Sequence, residues 1–530
     1  MLRPAASARR RQSPLLALRS SLLPALSGVL YFVSWIGFGI WPLAFVCFVP
    51  QVFALRDASG KQALRRGFVF GFVTHLGGYV WIVHLLRTFA FFPLWLALLG
   101  YLVVCAAQGA LLAVFSWVFR NAWIATGWPL AALLPLCLVA TEFVYPLLFQ
   151  SYTGVALMPA IQLVQVAELG GVLLLSALQG LVNGAIAGAL LRSTSLRRSV
   201  IPLATAVAVL GAAFLYGMLR IRAIDAREEA AAQVRVGIAQ PNVGEIELHR
   251  NPYASVLALT TQTAELHARG AEIVIWPEVG YNLRPVRDGE DGREILNGIP
   301  VWLIAGVERA GPAKERWNSA IVVSPEGKIG DHFDKIALLA FGEYIPFGDW
   351  FPFLYEWSPL AAHLTRGTTT APLHADGYRF ATFICYEDIL PGIVRDIMRD
   401  HGDGRAHALV NLTNDSWYGA WHEQIQHLTL AAVRSIEHRR WLLRATSTGI
   451  SAFVDASGRI VQTIPKDLRG VSIREVPMLS GNTPYQVAGD WPGWLSLAVL
   501  AWIGAREWRG RRLPPRPTAG QAVPSLRGQG

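Results

Sequence analysis

Cys385 opens the tetrapeptide Cys385-Tyr386-Glu387-Asp388 and is the one cysteine of four that lies outside the long apolar runs holding Cys47, Cys105 and Cys137. The run before it, Tyr378-Arg379-Phe380-Ala381-Thr382-Phe383-Ile384, is β-branched and aromatic, so Cys385 stands at the end of an expected strand. An unpaired thiol at such an edge is a candidate nucleophile, because the thiolate must be both activated and reached; a buried structural cysteine fits the same facts. Two more groups share this placement. Glu278 follows the strand-like run ending in Trp276-Pro277, and Lys335 lies in His332-Phe333-Asp334-Lys335, just after a strand. Singly they read as a solvated glutamate, a surface lysine and a core cysteine. Together they supply a base, a cation and a nucleophile, the set that acyl transfer through a thioester requires.

The elements that must position them alternate in kind. Strands are predicted at 234–240, 271–276, 301–306, 320–323 (running into the turn Pro325-Glu326-Gly327), 408–412 and 450–454. Helices are expected over 253–269 and about 421–439. Such alternation predicts a layered α/β domain with a large sheet, whose chemistry collects at strand ends.

The rest of the chain has a different composition. Of its 530 residues 53% are hydrophobic and 16% charged, against roughly 25% charged in a soluble domain. The deficit is local, since 13–220 is almost uncharged while 230–480 is ordinary. A spanning helix needs about 20 apolar residues, and about eight such segments are read: 20–34, 36–55, 67–86, 92–117, 126–149, 164–190, 199–219 and 489–505. The net charge of +10 comes largely from arginines clustered between these runs, which fits membrane topology better than a nucleic-acid face. Arg3, Arg9, Arg10, Arg11 and Arg19 precede the first run; Arg56, Lys61, Arg65 and Arg66 follow the second, and Arg120 the fourth. Arg192, Arg197 and Arg198 follow the sixth, and Arg506, Arg509, Arg511 and Arg512 the last. That asymmetry predicts cytoplasmic termini, with 230–480 on the outer side. The expected organisation is a cytoplasmic N-terminus (1–19), a bundle of seven spans (20–220), an outer domain (230–480), an eighth span (489–505) and a cytoplasmic, disordered tail (506–530). No small-residue cleavage site interrupts the first apolar run, so a cleaved signal peptide is not expected. Gly184 and Gly188 have the spacing that lets membrane helices approach closely.

With these residues in place the chain resembles the nitrilase superfamily and, within it, the apolipoprotein N-acyltransferases. Ile275-Trp276-Pro277-Glu278 is similar to the first motif of that family, and Asp334-Lys335 through Phe341-Gly342-Glu343-Tyr344-Ile345-Pro346-Phe347 to the second. Ile384-Cys385-Tyr386-Glu387 is similar to the third, and Asn414 to Gly419 and Arg444 to Ile450 resemble further segments. Gly37-Phe38-Gly39 to Pro42 and Ala167 to Gly171 resemble its membrane part. Departures are Ala340, Val279-Gly280 and Leu248-His249, where relatives carry Pro, a small polar pair and Lys-Trp. The resemblance implies an αββα sandwich on a polytopic helical bundle in a bacterial inner membrane, with the catalytic domain periplasmic. It casts Glu278 as general base, Lys335 with the Tyr386 N–H as oxyanion donors, and Glu343 and Glu387 as carboxylates that hold Lys335 and substrates. Asn318 becomes an additional donor. It also implies a phospholipid acyl donor and, as acceptor, the α-amine of a diacylglyceryl-cysteine at an apolipoprotein N-terminus, with neither cofactor nor metal.

Phe347 to Trp357 holds six aromatics and predicts a lid dipping into lipid beside the site. Other chemistries fit less well. His422-Glu423 with His427 suggests a zinc-protease helix, but a spacing of five sets the histidines about 140° apart. His75, His84, Glu142 and Glu168 in apolar runs would suit a transporter, which leaves the outer domain unexplained. A membrane-anchored amidase hydrolysing a small amide uses the same triad and stays open at this stage. A binding module on a dead nitrilase fold would predict a broken triad.

Overall fold

Prolines and glycines decide where the apolar runs become continuous helices. A computed structural model describes residues 14–88, 90–191, 196–313, 315–340, 342–345, 347–353, 355, 363–419 and 422–512. Among the described residues, three helices are long and apolar enough to cross a membrane: Leu94–Thr126, Val172–Leu191 and Val200–Ala230. The pair Gly60–Gly78 and Trp81–Thr88, bent by 62°, makes a fourth if it is one span. The expectation of eight spans therefore goes further than helix length and composition support. The run 36–55 is divided into a 3-10 turn, Trp41–Phe45, and a short helix, Val49–Leu55, because Pro42 and Pro50 each sit at a helix start where a missing N–H costs nothing. The run 164–190 is cut at Gly171, whose φ of +70° ends Ala167–Gly170 before Val172–Leu191 begins. The arginines at 3, 9, 10 and 11 and the tail beyond Arg512 lie outside the described residues.

Small residues hold the bundle together. A Cβ on Gly71 would overlap the Gly109 carbonyl, and one on Gly184 the Leu130 carbonyl, so these helices meet backbone to backbone. Asn183 bridges polar gaps as well, accepting from Phe48 N at 2.9 Å and donating to Ala44 O at 2.8 Å.

Among its described residues the following half carries thirteen strands: β1 (Gln233–Gln240), β2 (Ile273–Ile275), β3 (Tyr281–Val286), β4 (Trp302–Ala310), β5 (Arg316–Val323), β6 (Ile329–Asp334), β7 (Leu373–Ala375), β8 (Tyr378–Ile384), β9 (Ala408–Thr413), β10 (Leu442–Thr446), β11 (Ser451–Val454), β12 (Ile460–Ile464) and β13 (Gly470–Pro477). They form two sheets rather than one, ordered β13-β1-β2-β4-β5-β6, with β3 beside β4, and β12-β11-β10-β9-β8-β7. In each, a parallel centre (β1, β2, β4; β8, β9, β10) is flanked by antiparallel strands. β9 and β10 are buried throughout, the signature of strands covered on both faces. One shared core joins Val236 and Ile304 of the first sheet to Phe383, Leu412 and Leu443 of the second. Tyr253–Ala268 packs on the outer face of the first sheet, and Pro391–Ile397 and Glu423–His438 on the second, which gives an αββα sandwich. Parallel centres send β2 and β8 towards the same edge, where their carboxyl ends carry Glu278 and Cys385.

Candidate active site

Cys385 begins a 3-10 turn, Cys385–Ile389, directly after β8, with φ of +50°. Left-handed backbone at a residue with a side chain is costly and persists only where its surroundings enforce it. Here they do. Glu387 accepts from Ile384 N at 2.8 Å with one oxygen, and from Ile336 N (2.6 Å) and Ala337 N (2.9 Å) with the other. One carboxylate thereby ties the end of β8 to the segment just after Lys335.

Lys335 is buried, with Nζ 2.9 Å from Glu343 Oε1 and 3.3 Å from Glu278 Oε1. Asn318 of β5 donates through one Nδ2 to both carboxylates, at 2.7 and 2.8 Å. Glu343 also accepts from Leu339 N at 2.8 Å. Burial pulls the Lys335 ammonium down, but Glu278 and Glu343 outweigh it and hold the group well above its usual range. Burial raises the Glu278 carboxyl against the opposing pull of Lys335. Its second oxygen, Oε2, is buried without a hydrogen-bond partner among the described residues. The Cys385 thiol, 4% exposed, is raised by burial and by Glu278, and drawn back by Lys335 and a hydrogen bond with Thr413. These three groups thus sit within electrostatic reach of one another although Glu278 and Cys385 are more than a hundred residues apart in sequence.

Two glycines that the sequence reading passed over make this possible. A Cβ on Gly306 of β4 would overlap the Pro277 carbonyl and crowd Glu278 Cα, and one on Gly367 would overlap the Asp334 carbonyl beside Lys335. Nothing in the local sequence marks them, since only neighbours from other strands forbid the side chain.

A buried ionic network behind the thiol was missed as well. His427 lies between Asp388 (2.8 Å) and Asp415 (3.1 Å), and Arg444 reaches Asp388 at 2.6 Å and Asp415 at 3.1 Å. The helix Glu423–His438 that supplies His427 also buries Gln424, Arg434, Glu437 and His438, an unusual polar load that was the available signal. His422-Glu423-His427 is not a metal cluster: among the described residues no group of three or more potential ligands converges.

The Tyr386 side chain turns from Cys385 towards the helical part, where its hydroxyl donates to Leu148 O at 2.6 Å and its ring meets Phe149 edge-on. It borders a cleft of about 690 Å³ of empty space, open mouth included, between the two parts of the chain. Trp35, Tyr79 and Phe149 line it from the helical side, and Tyr418, Glu423 and His427 from the other. Of the expected lid, Phe347 is 66% and Trp350 76% exposed, with Phe351 and Phe353 also exposed. Leu354, Glu356 and Trp357 lie outside the described residues, as do Phe341, Pro346 and the side chain of His249.

Residues 235–483 match the family model for carbon-nitrogen hydrolases, and 27–185 that for the apolipoprotein N-acyltransferase N-terminal domain. Solved structures similar to the chain include an amidase from Nesterenkonia sp. (17% identity, 47% of this chain and 91% of that one, TM-score 0.34). A CN-hydrolase superfamily protein from Xanthomonas campestris is another (16%, 52% and 95%, TM-score 0.36). The match to the family model sets the class of this domain as the carbon-nitrogen hydrolase, or nitrilase, superfamily, carried on apolar helices. Proteins named apolipoprotein N-acyltransferase are similar over nearly the whole chain. That of Geobacter metallireducens is 27% identical, over 93% of this chain and 96% of its own length. Those of Azotobacter vinelandii (29%; 94% and 97%) and Pseudomonas aeruginosa (29%; 93% and 96%) are comparable. The chain belongs to the apolipoprotein N-acyltransferases, and is an acyltransferase of that family rather than a small-amide amidase.

Proposed function

We propose that this chain moves a fatty acyl group from a phospholipid to the α-amine of a diacylglyceryl-cysteine at an apolipoprotein N-terminus, through a thioester on Cys385. The observation that carries the reading is the Glu278 carboxylate: buried, partnerless at Oε2, and electrostatically coupled to a neutral thiol. Glu278 takes the Sγ proton as sulfur attacks the ester carbonyl. Lys335 Nζ and the Tyr386 N–H, in the first turn of the 3-10 segment, face the developing oxyanion. Collapse breaks the ester C–O bond, and the glycerol oxygen leaves with the proton returned by Glu278. In the second half the acceptor amine attacks the thioester, a nitrogen proton passes to Glu278, and the C–S bond breaks, with sulfur recovering the proton. Asn318, Glu343 and Glu387 position these groups without touching the reacting atoms.

Location supports lipid substrates. The arginine asymmetry around the apolar stretches supports a periplasmic position for 230–480, between the seventh and eighth of the eight crossings proposed. The exposed Phe347, Trp350 and Phe351 then rest in the lipid interface and keep water from the thioester. Mass spectrometry after incubation with phospholipid alone tests this. Cys385 is expected to gain a hydroxylamine-sensitive acyl group, with one lysophospholipid released per enzyme, and a diacylated lipopeptide to discharge it. An acyl group that never forms without acceptor would sink the covalent scheme. Steady release of free fatty acid without amine would instead mark a hydrolase.

A further inference from the structure

The network behind the thiol closes its own charge. Arg444 and a protonated His427 balance Asp388 and Asp415, each pair within 3.1 Å. Glu423 is then one carboxyl too many. It begins the helix Glu423–His438, is 8% exposed, and lines the cleft between the helical part and the catalytic domain. Its Oε1 is 3.9 Å from His427 Nδ1, beyond hydrogen-bond length, and its Oε2 has no partner among the described residues. Two neighbouring cleft groups, the donor Gln426 Nε2 and the acceptor Gln150 Oε1, are likewise buried and unpaired among the described residues. Three unsatisfied polar atoms around one apolar cleft mark a place where a ligand supplies what the protein leaves out. Burial holds the Glu423 carboxyl well above its usual range, His427 and Arg444 pull it down, and Asp415 and Asp388 push it up. From the helical side, the Tyr79 hydroxyl also faces it. A buried acid with no cation of its own accepts one readily when it arrives with N–H donors. The aromatic walls from Trp35, Tyr79, Trp81 and Phe149 suit an apolar body attached to that cation.

We propose that Glu423, with the Gln150 side-chain carbonyl, forms a binding site for the primary ammonium of a lipid substrate. The inference rests on the acyl-transfer reading for its choice of ligand. Two sources share the chemistry: the ethanolamine headgroup of the acyl donor and the α-amine of the acceptor. Tyr418 links the site to the thiol, since it lines the same cleft and its hydroxyl lies within electrostatic reach of both Glu423 and Cys385.

The test uses the full-length protein in detergent. Dodecylammonium and dodecanol serve as probes, so that recognition is read without any chemistry. Glu423→Gln, which keeps shape and removes charge, is expected to weaken dodecylammonium binding about ten- to a hundredfold and leave dodecanol unchanged. Glu423→Asp should restore part of the loss. Equal affinity of the probes for wild type and Glu423→Gln overturns the site, as does an equal loss for both probes. Transfer then assigns the source. Slower acylation of Cys385 by phosphatidylethanolamine but not phosphatidylglycerol assigns the donor headgroup. Normal acylation with a raised KM for diacylated lipopeptide assigns the acceptor amine. Unchanged rates in both arms remove the site from the reaction. If wild type never acylates Cys385, the acyl-transfer reading fails, while the dodecylammonium result still decides the ammonium site.

Discussion

Glu278 and Lys335 act on the Cys385 thiol in opposite directions, and that opposition separates their roles. Glu278 raises the thiol and Lys335 lowers it, on top of the larger effect of burial. Glu278→Gln therefore removes the proton acceptor but brings the thiol closer to ionising unaided, so acylation should partly recover as pH rises. Lys335→Met removes the oxyanion's cation and pushes the thiol up, so it should lose about 10²–10³ in rate with no recovery. Single-turnover acylation across pH 6–10 checks this, and parallel profiles for the two variants would refute the division. Cys385→Ala should abolish transfer while leaving thermal stability near wild type, because alanine keeps the Cβ and with it the same backbone strain at φ +50°.

At the scale of elements, the sheet edges bring the groups together through contacts that tolerate no extra atom. Gly306→Ala should displace the Pro277-Glu278 backbone and reduce kcat/KM by an order of magnitude or more, with a stability loss of about 1–3 kcal/mol. A kcat/KM equal to wild type would show that β4 can yield. The helix Glu423–His438 makes a pH-dependent contribution through His427. Burial opposes its charge, but Asp388 and Asp415 overcome both that and Arg444, raising it to about 10. A folded-state pKa above the ordinary value of about 6.5 gives stability that is full below pH 6.5 and lost as pH rises through 10. Wild type should therefore lose thermal stability between pH 7 and 10, and His427→Gln should show a flatter profile. Matching slopes would remove His427 as the cause.

At the scale of the whole molecule, the helical and catalytic parts are clamped by buried charge. Glu168, in Ala167–Gly170, pairs with Arg439 at 2.5 Å and Arg220 at 2.6 Å and accepts from the Tyr216 hydroxyl. Arg439 donates also to Gln165 Oε1 at 2.6 Å, and Glu437 accepts from Val172 N at 2.8 Å. Arg439→Leu leaves Glu168 undercompensated at this seam and should cost about 3–5 kcal/mol, read as a lower melting temperature in detergent. A shift within error would mean Arg220 suffices. The proposed topology has its own readout. Thr261→Cys, exposed on the outer helix Tyr253–Ala268, should react in Cys385→Ala cells with an impermeant thiol reagent once the outer membrane is permeabilised. Labelling only after inner-membrane lysis would invert the orientation.

Much of this was legible in the sequence because the signals are local. Residues 271–276 and 378–384 announced their strands by composition, and strand ends are where an α/β fold exposes side chains, so Glu278 and Cys385 stood out before any coordinates. Lys335 was placed by the same reasoning, and the apolar runs marked the helical part. What only tertiary structure decided depends on residues distant in sequence. Proline and glycine breaks turned expected continuous helices into short pieces, because an apolar run reports solvent preference and not where backbone hydrogen bonding stops. Strand composition alone suggested one sheet and only the family resemblance implied the two of a sandwich, because pairing is chosen between strands, not within them. Gly306 and Gly367 matter only through the carbonyls opposite them, and Glu423 was one surface-compatible acid in a helix until the fold buried it beside a charge network already complete. Charge balance and steric exclusion belong to pairs of residues, and a sequence does not state which pairs meet.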